Sequence, residues 1–106
     1  MPIDLEPYVL SQVQEVLKQH VPDCEVWAFG SRVTDRAKRF SDLDLAIVFP
    51  AASSVRRLAL LANAFEESNL PIRVDLLDLR AASPVIQNRV SKKCEVIFRP
   101  VEPIQR

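Results

Sequence analysis

A glycine-serine turn, followed after ten residues by a pair of aspartates, constrains this chain more than any other part of its sequence. Gly30 is the only glycine in the chain, and it ends the apolar segment at 26–29, where a strand is predicted. Glycine tolerates backbone angles and close approaches that other residues do not. Ser31 follows directly, at the start of a predicted short helix. The segment therefore predicts a strand that ends in a turn able to approach a phosphate.

The aspartates Asp42 and Asp44 open an apolar run at 45–49, which predicts a buried strand. Side chains alternate between the two faces of a strand, so both carboxylates point to the same side. Two close carboxylates repel each other, and a divalent cation removes this conflict. Such a cation would in turn hold a nucleoside triphosphate. The segment between the turn and the aspartates is basic and contains Arg32, Arg36, Lys38 and Arg39.

The segment at 27–49 resembles the signature of the nucleotidyltransferases related to DNA polymerase β, and above all that of the minimal nucleotidyltransferases (MNT proteins). Their motif is Gly-Ser, ten residues, then Asp-x-Asp, and the order of elements extends the resemblance to most of the chain. Relatives carry a third carboxylate on a later strand, and Asp75 occupies that place here. They often have a glycine where this chain has Asp35. Aspartate tolerates left-handed turn geometry better than most residues do.

The resemblance implies an α/β (α+β) fold, with a mixed β-sheet and helices packed largely on one face. It also implies two Mg²⁺ ions as cofactors and ATP as the donor nucleotide. The implied reaction is in-line attack of a hydroxyl on the α-phosphorus, in which positioning and charge neutralisation supply most of the catalysis. The implied catalytic and metal-binding residues are Asp42, Asp44 and Asp75, and the implied nucleotide-binding residues are Gly30, Ser31 and Arg32.

The resemblance further implies a protein partner that supplies the acceptor. Minimal nucleotidyltransferases pair with helical HEPN proteins in toxin–antitoxin systems, and some of them transfer AMP to a tyrosine of the HEPN ribonuclease toxin. The expected function is therefore that of an antitoxin enzyme in a hetero-oligomer. Two alternatives stay open: a binding-only antitoxin that occludes the HEPN toxin and has a vestigial nucleotide site, and nucleotidyl transfer to a small molecule.

Hydrophobic periodicity and capping signals predict alternating helices and strands. Helices are predicted at 6–20, at 31–37, from a cap at Ser53 or Ser54 to about residue 65, and at 84–91; strands are predicted at 24–29, 43–49, 72–77 and 94–98. Pro7 fits the first turn of the first helix, and Ser83 caps the last one, with a proline at its first position. We expect residues 1–106 to form a single domain with a flexible tail at 99–106.

Composition favours a globular protein of the cytoplasm. Hydrophobic residues make up 48% of the chain, which supports a packed interior. The formal net charge is zero, which argues against direct binding of nucleic acid by phosphate neutralisation. No apolar run is long enough to span a bilayer, and no signal peptide is recognisable. Cys24 and Cys94 lie in apolar segments without neighbouring ligands, so we expect small buried hydrophobes in a reducing compartment.

Overall fold

The computed structural model describes residues 3–34, 41–50 and 55–100 of the chain. Helices and strands alternate in the predicted order: α1 (Pro7–His20), β1 (Glu25–Phe29), β2 (Leu43–Val48), α2 (Val55–Glu66), β3 (Val74–Asp78), α3 (Pro84–Lys92) and β4 (Glu95–Phe98). Two short 3₁₀ turns, Gly30–Val33 and Leu79–Ala81, follow β1 and β3. Over the described ranges, no helix is long and apolar enough to cross a membrane.

The four strands form one mixed sheet in the order β3-β2-β1-β4. β1 pairs antiparallel with both β2 and β4, whereas β2 pairs parallel with β3. A parallel pair needs a crossover connection, and α2 lies in this crossover. The register sets Phe29 opposite Asp44 and sets Asp44 beside Asp75. The turn after β1 and the acidic ends of β2 and β3 therefore meet at the same end of the sheet.

One face of the sheet carries the main hydrophobic core. α1 and α2 cover this face with side chains such as Leu17 and Leu61, which are fully buried. The prediction that the helices pack largely on one face is confirmed for these two helices. The side chains that the two central strands contribute to this core are also fully buried, namely Val26, Ala28, Leu43, Leu45 and Ile47.

The third helix, α3, lies on the opposite face of the sheet. Trp27 alternates with the core residues of β1, so its side chain points away from the main core. It lines a cavity together with Gln87 and Ser91 of α3. Val90 of α3 and Ala46 of β2 are buried but stand outside the main core cluster. This second face is therefore covered over only part of its area.

The predicted element boundaries agree with the structure to within about two residues, which is the usual uncertainty of helix and strand ends. α1 begins with Pro7 at its first position. The side chain of Ser83 accepts a hydrogen bond of 3.3 Å from the backbone N–H of Ile86, which confirms the predicted cap of α3. The predicted strand at 72–77 begins two residues later, at Val74.

Several sequence predictions fall outside the described residues. They are the end of the helix predicted at 31–37, the cap at Ser53 or Ser54, the turn at Asp35, and the tail beyond residue 100. The described part of the helix predicted at 31–37 is a 3₁₀ turn that ends at Val33. Arg99, where the predicted tail begins, forms an ion pair with Glu25 of β1 at 3.1 Å.

Both cysteines are free thiols. Cys24 is fully buried, and Cys94 is half-buried. Burial raises the pKa of the Cys24 thiol to about 11 and also raises the pKa of Cys94. Both thiols are therefore protonated at neutral pH, which makes them poor nucleophiles and poor metal ligands. The prediction of a small buried hydrophobe is confirmed for Cys24.

Candidate active site

Gly30 brings the first 3₁₀ turn into contact with Asp44. Its φ is 80°, in the left-handed region, where a residue with a side chain is strained by roughly 1–2 kcal/mol. A Cβ atom at this position would overlap the carboxylate of Asp44. The Oγ1 of Thr34 donates to the carbonyl of Gly30 at 3.2 Å and helps to close the turn. The one glycine of the chain lies where both the backbone angle and the neighbouring carboxylate require it.

Asp44 and Asp75 lie side by side on adjacent strands. They are register partners in the parallel pair of β2 and β3. Strand alternation places both carboxylates on the sheet face opposite the main core. Asp42 directly precedes β2, two residues before Asp44, and shares this face by the same alternation. The structure therefore sets the three predicted carboxylates on one face, next to the turn at Gly30.

The carboxylates interact with one another electrostatically. Burial raises the pKa of Asp44, and the charges of Asp75 and Asp42 raise it further. Arg73 offers a partial counter-charge, because its Nε lies 3.4 Å from Oδ1 of Asp75. These two side chains are 77% and 46% exposed, and an exposed pair of this kind contributes at most about 1 kcal/mol. The site therefore keeps an excess of negative charge.

The three carboxylates fit a hard divalent cation by their chemistry. They offer oxygen ligands, which Mg²⁺ prefers, and a cation would relieve their mutual repulsion. Within the part of the chain that the structure describes, no three His, Cys, Asp or Glu side chains already form a group that could hold a metal ion. Metal binding therefore stays a prediction. It is supported by two observations: the carboxylates share one face of the sheet, and their charges act on one another.

Arg32 occupies a different environment from that expected of a nucleotide ligand. Its side chain is buried, and only 7% of the residue is exposed. Nη2 and Nε donate to the carbonyl oxygen of Ser41 at 2.9 and 3.3 Å, and Nη1 donates to the carbonyl oxygen of Asp4 at 2.9 Å. The guanidinium is thus directed at backbone carbonyls, and little of its surface remains for a phosphate.

A groove runs along β3 beside Asp75. It has a volume of about 940 Å³ and lies between α2 and β3. Its walls are mostly apolar and include Phe65, Leu70, Ile72 and Leu76. Asp75 is among the residues that line the groove, and it lies on the edge strand β3. The groove itself opens on the α2 side of the sheet, opposite the face that carries the carboxylates.

Sequence reasoning missed two features of the surroundings. The indole N–H of Trp27 is buried without a hydrogen-bond partner among the described residues, beside a cavity of about 480 Å³. Arg80 donates to the carbonyls of Phe49 and Pro50 at 3.2 and 3.1 Å and fixes the end of β2. Neither feature has a local sequence signal, because both depend on contacts between segments that are far apart in the chain.

Comparison with known proteins assigns this arrangement to a family. Residues 11–102 match the family model described as "Polymerase beta, Nucleotidyltransferase". The match covers most of the chain, so the protein belongs to this family of nucleotidyltransferase enzymes. The family expected from the Gly-Ser and Asp-x-Asp motif is thereby confirmed.

Individual relatives narrow the similarity to minimal nucleotidyltransferases. A Haemophilus influenzae protein named "Probable protein adenylyltransferase MntA" is 40% identical over 104 residues, which is 98% of this chain and 91% of that protein. A chain of a solved toxin–antitoxin structure with AMP-PNP is 26% identical over 85% of this chain and 73% of its own length, with a TM-score of 0.71.

A third similarity concerns the fold alone. It is to a chain in the solved complex of a tri-AMPylated Shewanella oneidensis HEPN toxin with its MNT antitoxin, at 22% identity. The TM-score is 0.67, and the match covers 90% of this chain and 73% of the solved one. The mixed four-stranded sheet and its helices are therefore shared with solved structures of toxin–antitoxin assemblies.

Proposed function

We propose that this protein is a Mg²⁺-dependent antitoxin enzyme that transfers AMP from ATP to a tyrosine of a HEPN toxin. The observation that carries this proposal is the register of Asp44 beside Asp75, with the Gly30 turn packed against Asp44. The relatives support it, because one is named a protein adenylyltransferase and another belongs to a toxin–antitoxin structure with a nucleotide analogue.

The carboxylates and the turn at Gly30 would bind different parts of the nucleotide complex. Asp42, Asp44 and Asp75 would hold Mg²⁺, which supplies charge neutralisation for the triphosphate and for the attacking oxygen. Gly30 and Ser31 offer backbone N–H groups to phosphate oxygens, since Gly30 has no side chain to keep the nucleotide away. The acidic half and the phosphate-binding half are in contact, because the Gly30 backbone packs against the Asp44 carboxylate.

The transfer forms a bond between the tyrosine oxygen and the α-phosphorus of ATP. It breaks the bond between that phosphorus and the oxygen that bridges to the β-phosphate, so pyrophosphate leaves. The phenolic proton would pass to a carboxylate. We assign this role to Asp75, because it lies on an edge strand and its side chain is 46% exposed. Asp44 lies between the turn and β3. This position suits it to binding the metal ion that holds the triphosphate.

The acceptor approaches along the groove beside β3. The apolar walls of this groove suit an aromatic side chain, and its volume of about 940 Å³ lies within the roughly 300–1,000 Å³ of small-molecule sites. Asp75 belongs to both the groove and the acidic cluster. A tyrosine presented by another protein would therefore pass around the edge strand β3, from the groove on the α2 side to the carboxylate face, and meet the nucleotide at Asp75.

Intact-mass spectrometry of the partner tests the proposal. The HEPN protein is incubated with this protein, ATP and Mg²⁺, and its ribonuclease activity is measured in parallel. We expect additions of AMP mass to the partner, together with loss of ribonuclease activity that persists after the two proteins are separated. The Asp42→Asn/Asp44→Asn double variant should fold and bind the partner but add no mass.

The same experiment separates the enzyme from an occluding antitoxin. If the wild type adds no mass yet silences the toxin on mixing, and the double variant does so equally well, the enzyme hypothesis fails. If a small molecule is the acceptor, ATP is converted to AMP adducts without the partner present. Transfer to the toxin, transfer to a small molecule and occlusion without transfer therefore give different mass spectra.

A binding measurement tests the metal and the nucleotide without the partner. Mg²⁺ and ATP together should raise the melting temperature of the wild type more than either raises it alone, because a ligand that binds only the folded state stabilises that state. Asp42→Asn should lose most of this combined increment. Equal increments in the wild type and in Asp42→Asn would remove Asp42 from the metal site.

A further inference from the structure

Arg32 ties together three segments that are separate in the sequence. Its backbone and side chain make a reciprocal pair with Asp4: the Asp4 N–H donates to the Arg32 carbonyl at 2.7 Å, and Nη1 donates to the Asp4 carbonyl at 2.9 Å. Its Nε and Nη2 both donate to Ser41. The side chain therefore joins the phosphate-binding turn to the N-terminal segment and to the residue that precedes Asp42.

The chemistry of these contacts suits a fixed structural fork. A guanidinium has five N–H donors in a rigid plane and can address two separate carbonyl groups at once. A buried charge is unfavourable unless its donors are satisfied, and three N–H groups of Arg32 donate to backbone oxygens. A side chain that binds phosphate needs exposed donors, whereas Arg32 is buried to all but 7%.

Asp42 is the carboxylate that most needs such support. Asp44 and Asp75 lie inside strands and are held by the sheet, but Asp42 precedes the first residue of β2. On its C-terminal side, Leu43 N–H donates to the carbonyl of Arg73 at 2.9 Å. On its N-terminal side, the Ser41 carbonyl is held by the guanidinium fork. These two anchors fix the backbone on both sides of Asp42.

We propose that Arg32 is a positioning residue that orients Asp42 for metal binding through the Ser41 carbonyl and does not itself contact the nucleotide. The inference rests on the proposed function, since it takes Asp42 to be a metal ligand. It replaces the phosphate contact expected from the sequence with an indirect role. It also explains why the guanidinium of Arg32 is buried although Arg32 belongs to a basic segment next to the turn.

Metal binding to variants of Arg32 tests the inference. Mn²⁺ alone serves as the probe, with free Mn²⁺ followed by electron paramagnetic resonance. Loss of a group that orients a metal ligand typically weakens metal affinity roughly 10–100-fold. We expect a loss in this range for both Arg32→Met and Arg32→Lys, because methionine has no donor and the single nitrogen of lysine cannot occupy the separate positions from which Nη1 reaches Asp4 and Nε and Nη2 reach Ser41.

Nucleotide binding without metal separates positioning from direct contact. In the presence of EDTA, AMP-PNP should bind the wild type, Arg32→Met and Arg32→Lys with affinities within about twofold of one another. A direct phosphate contact predicts the opposite pattern: Arg32→Met loses nucleotide affinity without metal, Arg32→Lys keeps most of it, and Mn²⁺ binding is little changed. That pattern would overturn the inference.

A matched control separates positioning from loss of stability. Val13→Ala removes buried apolar volume from α1, in the core on the other face of the sheet. It should lower the melting temperature comparably while leaving Mn²⁺ affinity unchanged. If the Arg32 variants melt lower but bind Mn²⁺ as the wild type does, Arg32 is only structural. If the wild type itself binds no Mn²⁺, the proposed metal site fails instead.

A spectroscopic readout on the wild type covers variants that do not fold. The Nε–H group of Arg32, protected by burial and by its contact with Ser41, should give a side-chain signal in ¹⁵N-resolved NMR spectra. We expect this signal in the free protein and expect AMP-PNP without metal to leave it nearly unmoved. A large shift of this signal on adding AMP-PNP would show a direct contact and sink the inference.

Discussion

The two faces of the sheet are built from the same strands and have opposite properties. In β2, Leu43, Leu45 and Ile47 point into the main core and are fully buried, whereas Asp44, between the first two, points to the other face and is half-buried. The core face is covered by α1 and α2, and the site face is covered only in part, by α3. Neighbouring residues of one strand therefore serve stability and chemistry separately, and substitutions should separate the two effects.

The largest effect on stability is expected on the core face. Leu45→Ala should lower the free energy of unfolding by about 2–5 kcal/mol, because it removes buried apolar atoms and leaves a cavity. Urea denaturation followed by circular dichroism measures the change. Whatever folded protein remains should still bind nucleotide, because Leu45 points away from the site. A Leu45→Ala variant that is stable but inactive would contradict the separation of the two faces.

A large effect is also expected at Gly30, where backbone and site meet. Gly30→Ala adds strain of roughly 1–2 kcal/mol at a left-handed φ and an overlap with the Asp44 carboxylate. We expect lower stability and strong loss of AMP transfer, measured by denaturation and by intact mass. Gly30→Asn is the informative partner variant, since asparagine tolerates left-handed angles but still carries a Cβ atom. It should recover the part of the stability that is lost to the backbone angle, but not the part lost to the overlap with Asp44, and it should not recover activity.

A smaller effect of opposite sign is expected at Asp44 on the site face. Its folded-state pKa is raised by burial and by the charges of Asp75 and Asp42, so its ionised form is disfavoured in the folded protein without metal. Asp44→Asn should therefore stabilise the metal-free protein slightly near neutral pH, while it abolishes transfer. Differential scanning calorimetry in EDTA measures the gain.

The pH dependence checks the cause of this gain. As pH falls through the raised pKa of Asp44, the wild type becomes protonated there and recovers the stability that the charge removed. The difference between the wild type and Asp44→Asn should accordingly shrink as pH falls below the range where Asp44 is ionised. If Asp44→Asn is less stable at every pH, Asp44 is a structural residue.

The smallest effect is expected far from the site, at the exposed ion pair of Asp23 with Arg57. The two side chains approach to 2.6 Å but are 46% and 39% exposed. Hydrogen bonding by Arg57 lowers the pKa of Asp23, so the pair stabilises the fold above the unfolded-state pKa and loses this contribution as pH falls through the folded-state pKa. Asp23→Asn should cost about 0.2–1 kcal/mol at neutral pH.

This prediction has an internal control in salt and acid. Added salt screens an exposed ion pair, so the difference between the wild type and Asp23→Asn should narrow at high ionic strength and vanish in acid. Arg57 also lies over the ring of Phe49, at 5.4 Å from its centroid, and Asp23→Asn leaves that contact in place. A difference that survives both salt and acid would show that Asp23 acts through something other than its charge.

Local patterns predicted the main helices and strands and pointed to Asp42 and Asp44 as candidate site residues. Alternation in β2 and the Ser83-Pro84 cap involve neighbouring residues, so a single sequence records them. The face shared by Asp42 and Asp44 follows from the same periodicity. The placement of Asp75 came from the family resemblance, and its pairing with Asp44 became visible only with the sheet register.

The environment of Arg32 could not be predicted, because its carbonyl partners depend on how distant segments meet. In the sequence, Arg32 is one basic residue among several near the turn, and nothing local distinguishes a buried fork from a phosphate ligand. Arg80 and Trp27 are similar cases, since their partners and cavity come from other segments. Contacts between side chains and remote backbone groups leave no periodic signal.

The mixed pairing of the sheet has a consequence for the order in which the protein folds. The antiparallel contact of β1 with β2 brings Gly30 to Asp44 early, since few residues separate these strands along the chain. The parallel contact of β2 with β3 requires the α2 crossover first, and such distant pairings form slowly. We therefore expect Asp75 to join the site in a late folding step, in which case a partially folded chain would carry the turn at Gly30 without the complete acidic cluster.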